Sequence, residues 1–151
     1  MEKIYFEDLP VGAVLETGAR TLTREAIVGF AREWDPQPFH LDDAAAEASP
    51  YGALIASGWH TLLTAFTLAL EARDWSQGSM GSPGMDEVRW LKPVYAGDTI
   101  RAVGHVLEAR VSRSKPDRGF ATMRYDIFNQ KDERVAHYSG LHMLRLRPQA
   151  E

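Results

Sequence analysis

The stretch Gly58-Trp59-His60-Thr61-Leu62-Leu63-Thr64-Ala65-Phe66-Thr67-Leu68-Ala69-Leu70-Glu71-Ala72-Arg73 decides how the rest of the chain must be arranged. Trp59, Leu62, Leu63, Phe66 and Leu70, with alanines between them, leave little polar face. The spacing therefore predicts a helix from about Gly58 to Arg73 that is wrapped by other structure. The apolar tract from Leu54 to Leu70 is broken by Ser57, Gly58, His60 and several threonines. It falls short of the roughly 20 apolar residues that cross a bilayer, so a buried helix is expected and no membrane association.

Toward the carboxyl terminus the period changes. Met85 to Val94, Asp98 to Ser112, Gly119 to Gln130 and Arg134 to Arg147 are rich in β-branched and aromatic residues, with alternation at Val88, Trp90 and at Met123, Tyr125, Ile127. The turns Tyr95-Ala96-Gly97-Asp98, Lys115-Pro116-Asp117-Arg118-Gly119 and Lys131-Asp132-Glu133 are short enough to join antiparallel neighbours as hairpins. Asp74 to Gly84, rich in Gly and Ser with one Pro, predicts a mobile loop.

Working toward the amino terminus, Ser49-Pro50-Tyr51-Gly52 closes a short alanine-rich helix that opens at Leu41-Asp42 and runs to about Ala48. In Arg24 to Trp34, the residues Ala26, Ile27, Phe30, Ala31 and Trp34 share one helical face. Thr23 is placed to cap that helix, and Asp35 before Pro36 ends it. Ala13 to Leu22 reads as a strand. The whole, residues 1–151, is one α+β domain: an antiparallel β-sheet wrapped around a long central helix. An edge carrying strands as long as Arg134 to Arg147 is usually paired or covered, so a homodimer or higher homo-oligomer is expected.

Composition excludes several classes of function. A chain of 151 residues can bury roughly 70% of its unfolded surface in a single core. Seventeen Lys and Arg against 21 Asp and Glu argue against nucleic acid as a partner. The absence of cysteine removes disulfides, thiol nucleophiles and thiolate metal sites. The acidic start Met1-Glu2-Lys3-Ile4-Tyr5-Phe6-Glu7-Asp8 is unlike a targeting peptide, so a cytoplasmic location is expected.

The candidate chemistry lies in Trp34-Asp35-Pro36-Gln37-Pro38-Phe39-His40. Pro36 and Pro38 stiffen the segment between a carboxylate and an imidazole, a pair that can hold one water and move its protons. Further along, Ile55-Ala56-Ser57-Gly58 leads into the central helix, whose first turn has free N–H groups and partial positive charge. A carbonyl docked on the Gly58 N–H would be stabilised as it becomes an enolate. Each piece also has a purely structural reading. An Asp often ends a helix before proline, a single His is often packed, and Gly58 would equally permit tight helix packing.

Together these segments, with Val88-Arg89-Trp90-Leu91-Lys92-Pro93-Val94-Tyr95-Ala96-Gly97-Asp98-Thr99, resemble the MaoC-like dehydratases, the family that includes the R-specific enoyl-CoA hydratases. That family's motif runs Asp, any residue, Asn, Pro, an aliphatic residue, His, and later a glycine whose amide faces the thioester oxygen. Asp35, His40 and Gly58 match those roles; Gln37 replaces the usual Asn, and Ser57 stands where many members have His.

The resemblance implies the hot-dog fold and reversible addition of water to a trans-2-enoyl thioester, giving an R-3-hydroxyacyl thioester. It implies no metal or redox cofactor, with coenzyme A or an acyl carrier protein entering as part of the substrate. Asp35 and His40 would handle the water and the C2 proton, Gly58 the enolate oxygen, and Phe39, Gln37, Ser57 and Trp59 would contact the substrate. Trp59, Leu62, Phe66, Trp75 and the 74–84 loop are candidates for acyl selectivity. Arg89, Lys92, Arg113, Lys115 and Arg118 are candidates for the phosphates of coenzyme A. His60 could line the pocket and His105, His137 and His142 lie on predicted strands, but a structural reading is favoured for all four. Two other functions fit the same fold: an acyl-CoA thioesterase and a non-catalytic acyl-thioester-binding subunit.

Overall fold

The computed structural model describes residues 1–150. The elements run β1 (Val14–Thr21), α1 (Arg24–Trp34), α2 (Pro38–Leu41), α3 (Asp43–Glu47), α4 (Gly58–Ala72), β2 (Met85–Trp90), β3 (Thr99–Val111), β4 (Arg118–Phe128) and β5 (Arg134–Arg145). The strands form one antiparallel sheet in the order β1-β3-β4-β5-β2, with α4 packed against β1 and β3. This is the expected α+β arrangement of a sheet around one long helix. No helix among the described residues is long and apolar enough to cross a membrane.

Period-two alternation builds the core. Ile100, Ala102 and Val106 of β3 and Ala121, Met123, Tyr125 and Ile127 of β4 are buried. The strand residues between them face outward. Each fully buried Ile or Met contributes about 1.5–3 kcal/mol relative to exposure. From the other side, α4 presents Leu62, Ala65, Leu68 and Ala69 to this core.

The structure departs from the sequence reading in four places. First, Tyr95–Asp98 is a tight turn, with Gly97 at φ +89° and the Asp98 N–H donating to the Tyr95 carbonyl at 2.9 Å. It is not a hairpin, because β2 pairs with β5 while β3 lies between β1 and β4. Turn chemistry specifies a local reversal and carries no information about which strand is paired next. β2 also stops at Trp90, after which the Leu91 and Lys92 amides both turn onto the Val135 carbonyl.

Second, the 74–84 segment is pinned down. Trp75 is buried and its indole N–H donates to the Ala69 carbonyl at 3.0 Å, while Gly78, Met80 and Gly81 bond the backbone of β5 at Met143 and Arg145. β5 is therefore interior, and β1 and β2 are the edges. Third, the helix expected over 41–48 is α3, and a separate helical turn that the sequence reading lacked, α2, precedes it. Asp42 ends α2 with extended torsions and caps α3, accepting the Ala45 N–H at 2.8 Å. His40 thus stands on a helical turn. Fourth, α4 is wrapped on one side only: Trp59, Leu63, Phe66 and Leu70, at steps of four, three and four, remain 41–55% exposed.

Candidate functional site

Thr23 caps α1 by accepting the Ala26 N–H at 3.1 Å, and Ile27, Val28 and Ala31 anchor the helix to the core. Pro36 then forces Asp35 out of helical torsions, to φ −153° and ψ 68°, although its own N–H still bonds the Ala31 carbonyl. The Gln37 N–H folds back on the Asp35 carbonyl at 2.7 Å, and Pro38 starts α2 at a position where a missing N–H is harmless. This turn points the carboxyl of Asp35 and the imidazole of His40 into the same cavity.

Their geometry is specific. His40 is nearly fully buried, and its Nδ1 lies 2.7 Å from the Ile55 carbonyl oxygen. A carbonyl only accepts, so Nδ1 carries the hydrogen and Nε2 is left as the atom that gains or loses a proton. Nε2 lies 3.3 Å from Asp35 Oδ2, and Gln37 Nε2 donates to Asp35 Oδ1 at 2.6 Å. Burial pushes the Asp35 carboxyl upward, but the Ser57 hydroxyl, the Gln37 amide and the His40 imidazole together outweigh it and hold the pKa below the ordinary value. The pair can thus hold a carboxylate and an imidazole that share a proton, which is what general acid–base catalysis requires.

Beside them begins α4. Ser57 is its N-cap but makes no capping hydrogen bond, so the first-turn amides keep their hydrogen-bonding capacity. Ser57 Oγ is completely buried near enough to Asp35 to favour its carboxylate, although it falls outside full hydrogen-bond geometry to any described residue. The cavity, of about 520 Å³, is lined by Asp35, Gln37, Phe39, His40, Gly58 and Trp59 among others. Six of the seven expected site residues therefore meet in one place, with Ser57 just behind the wall.

Other expected residues do not reach it. Leu62 and Trp75 are core, Phe66 is on the open side of α4, and none of the three lines the cavity. His60 stacks on Phe30 with ring centroids 4.6 Å apart. Burial, and to a smaller extent His40, lower its pKa. Of the five candidate phosphate contacts only Lys92 lines the cavity, paired with Glu133, while Arg113, Lys115 and Arg118 sit at the β3–β4 turn. His142 is structural as expected, bonded through Nε2 to the Tyr125 hydroxyl at 2.9 Å and stacked on Trp75.

Sequence reasoning gave no site role to Tyr51, Thr61, Trp90 and Leu91, which also line the cavity. Trp90 is the most consequential. A methyl group added at residue 58 would lie 2.5 Å from Trp90 Cε2 and nearer still to Nε1. Gly58 is therefore required by the indole seated on it. Trp90 is itself 46% exposed, and nothing local in the sequence placed it against Gly58.

Comparison with known proteins identifies the fold and the family. A profile of the MaoC like domain matches residues 7–123. The crystal structure of a MaoC-like dehydratase from Rhodospirillum rubrum superposes with a TM-score of 0.89 and 36% identity, over 97% of this chain and 99% of that one. A Mycobacterium tuberculosis protein described as a double hotdog fold matches at a TM-score of 0.79 and 22% identity, over 99% of this chain and 46% of that one, a likeness of fold. Among curated sequences, YdeM of Bacillus subtilis is 29% identical over 85% of this chain and 90% of its own length. Mesaconyl-CoA hydratase of Cereibacter sphaeroides is 36% identical over 77 residues, 51% of this chain and 22% of that protein. The profile covers most of the chain and the R. rubrum structure nearly all of it, so this chain, with its hot-dog sheet and helix, belongs to the MaoC-like dehydratase family.

Proposed function

We propose that this protein is a hydratase/dehydratase of acyl thioesters, adding water reversibly to a trans-2-enoyl-CoA to give an R-3-hydroxyacyl-CoA. The observation that carries this reading is the pair itself: His40, oriented by the Ile55 carbonyl, presents Nε2 3.3 Å from Asp35 Oδ2, and both open on the cavity where α4 begins. Water held by the pair adds its oxygen to C3 and gives a proton to the dyad. The dyad returns a proton to C2, and no other product forms. The Gly58 N–H, reinforced by the positive end of α4, stabilises the thioester oxygen as the enolate develops. Coenzyme A, or the equivalent arm of an acyl carrier protein, enters only as the carrier of the acyl group. The MaoC-like family assignment and the hydratase among the relatives support this chemistry.

The same reading includes a homodimer in the cytoplasm. Trp59, Leu63, Phe66 and Leu70 form one continuous stripe on α4, and the neighbouring edge strand β2 exposes Met85 and Trp90. An apolar face beside an unpaired strand edge is a surface that a second copy would cover.

The decisive measurement follows loss of the enoyl chromophore with purified protein and a panel of enoyl-CoA esters. The wild type should turn over at least one ester, and Asp35→Asn and His40→Gln should each lose about 10²–10⁴-fold in kcat/KM. Full activity of either variant would refute the residue roles. Release of free thiol from a saturated acyl-CoA would make the protein a thioesterase instead, and binding without turnover would make it a carrier of acyl thioesters.

A further inference from the structure

We propose that Trp90 is a specificity-determining residue whose indole, seated on Gly58, restricts the substrate to acyl groups unbranched at C2. The inference rests on the hydratase reading for its substrate class, and on packing alone for its mechanism. Three atoms of the Trp90 pyrrole ring, Nε1, Cε2 and Cδ1, occupy the space that a side chain at residue 58 would take. The indole is held from two directions. Trp59 packs edge-on against it with ring centroids 5.5 Å apart and planes at 75°. Its backbone is paired with Ala136 in the β2–β5 ladder, and the next two amides are tied to the Val135 carbonyl. Trp90, Trp59 and Gly58 line the same cavity as Asp35 and His40.

A thioester whose carbonyl oxygen accepts the Gly58 N–H has its carbonyl carbon within about 4 Å of that nitrogen. The next atoms outward are the sulfur, common to every substrate, and C2. The indole against the Cα of Gly58 therefore bears on C2, and a substituent there competes with it for space. The indole is 46% exposed, so what holds it in place is its contact with Trp59 and with the Gly58 backbone, and displacing it costs those contacts.

The test compares the straight-chain four-carbon 2-enoyl-CoA with its 2-methyl-branched counterpart in wild type, Trp90→Ala and Trp90→Phe, with dimer size monitored by light scattering. The wild type should favour the unbranched ester by about tenfold or more in kcat/KM, the discrimination one methyl group gives in a fitted pocket. Trp90→Ala should compress that ratio to near unity, and Trp90→Phe, which keeps a packed ring if the smaller variant does not fold, should fall between. Dissociation constants for butanoyl-CoA and 2-methylpropanoyl-CoA, measured by calorimetry, should shift in the same sense. An unchanged ratio in a folded Trp90→Ala or Trp90→Phe, or equal acceptance of both esters by the wild type, overturns the proposal. A wild type that hydrates nothing, but whose binding preference against the branched ester is lost in Trp90→Ala, refutes the hydratase reading and upholds the role of Trp90.

Discussion

Replacing Gly58 by Ala sets two reasons for a glycine against each other. The residue has no left-handed φ, so the backbone accepts alanine without strain, and at the first position of α4 alanine would bring up to about 1 kcal/mol of helix propensity. Against that, the new methyl meets Trp90 Cε2 at 2.5 Å, and an overpacked site of this kind costs about 1–3 kcal/mol. Packing wins, and the expected net loss is about 1–2 kcal/mol. For a domain of this size that corresponds to a fall in Tm of roughly 2–8 °C.

The double variant Gly58→Ala/Trp90→Ala isolates the cause. With the indole gone, adding the methyl should be neutral or stabilising, giving a coupling energy of about 1–3 kcal/mol between the two sites. Urea unfolding monitored by far-ultraviolet circular dichroism suits the cycle, since tryptophan fluorescence changes with Trp90 itself. Turnover then separates the remaining role. If a ligand must also approach the Gly58 backbone, the double variant regains stability and stays impaired in activity. Equal destabilisation by Gly58→Ala in both backgrounds, or none in either, would refute the packing argument.

Single groups elsewhere in the molecule give further expected outcomes. Burial holds His142 at about 4 against an ordinary 6.5, so on acidification the unfolded chain is protonated before the folded one. Stability should be full above about pH 6.5 and fall by on the order of 3 kcal/mol as the pH drops toward 4, and His142→Phe should flatten that part of a pH series of urea midpoints. The Tyr138 hydroxyl is buried without a partner among the described residues, whereas that of Tyr125 bonds His142 at 2.9 Å. Tyr138→Phe should be neutral or stabilising by up to about 1 kcal/mol and Tyr125→Phe destabilising by about 1–3 kcal/mol, the reverse order in urea unfolding sinking this account of the core. In the proposed dimer, Leu63→Glu in the middle of the exposed α4 stripe should yield monomers by light scattering with near-native circular dichroism; a wild type already monomeric, or a variant still dimeric, would refute that interface.

The sequence by itself determined what acts within a few residues. The apolar run from Gly58 to Arg73, the alternation in Met123, Tyr125 and Ile127, the Thr23 cap and the Asp35-Pro36 break all reappear in the structure, because helix period, strand period and proline sterics are local properties of the chain. The stiff turn carrying Asp35 and His40 was legible for the same reason. Only the tertiary structure decided what depends on distant partners. β2 crossed to pair with β5 rather than with the strand after its turn, α4 kept one apolar side open, and the 74–84 segment was fastened to β5. The Ile55 carbonyl fixed which nitrogen of His40 bears hydrogen, and Trp90 closed over Gly58. Those contacts join residues far apart along the chain, and they form only where burial in the common core outweighs the entropy of bringing such residues together.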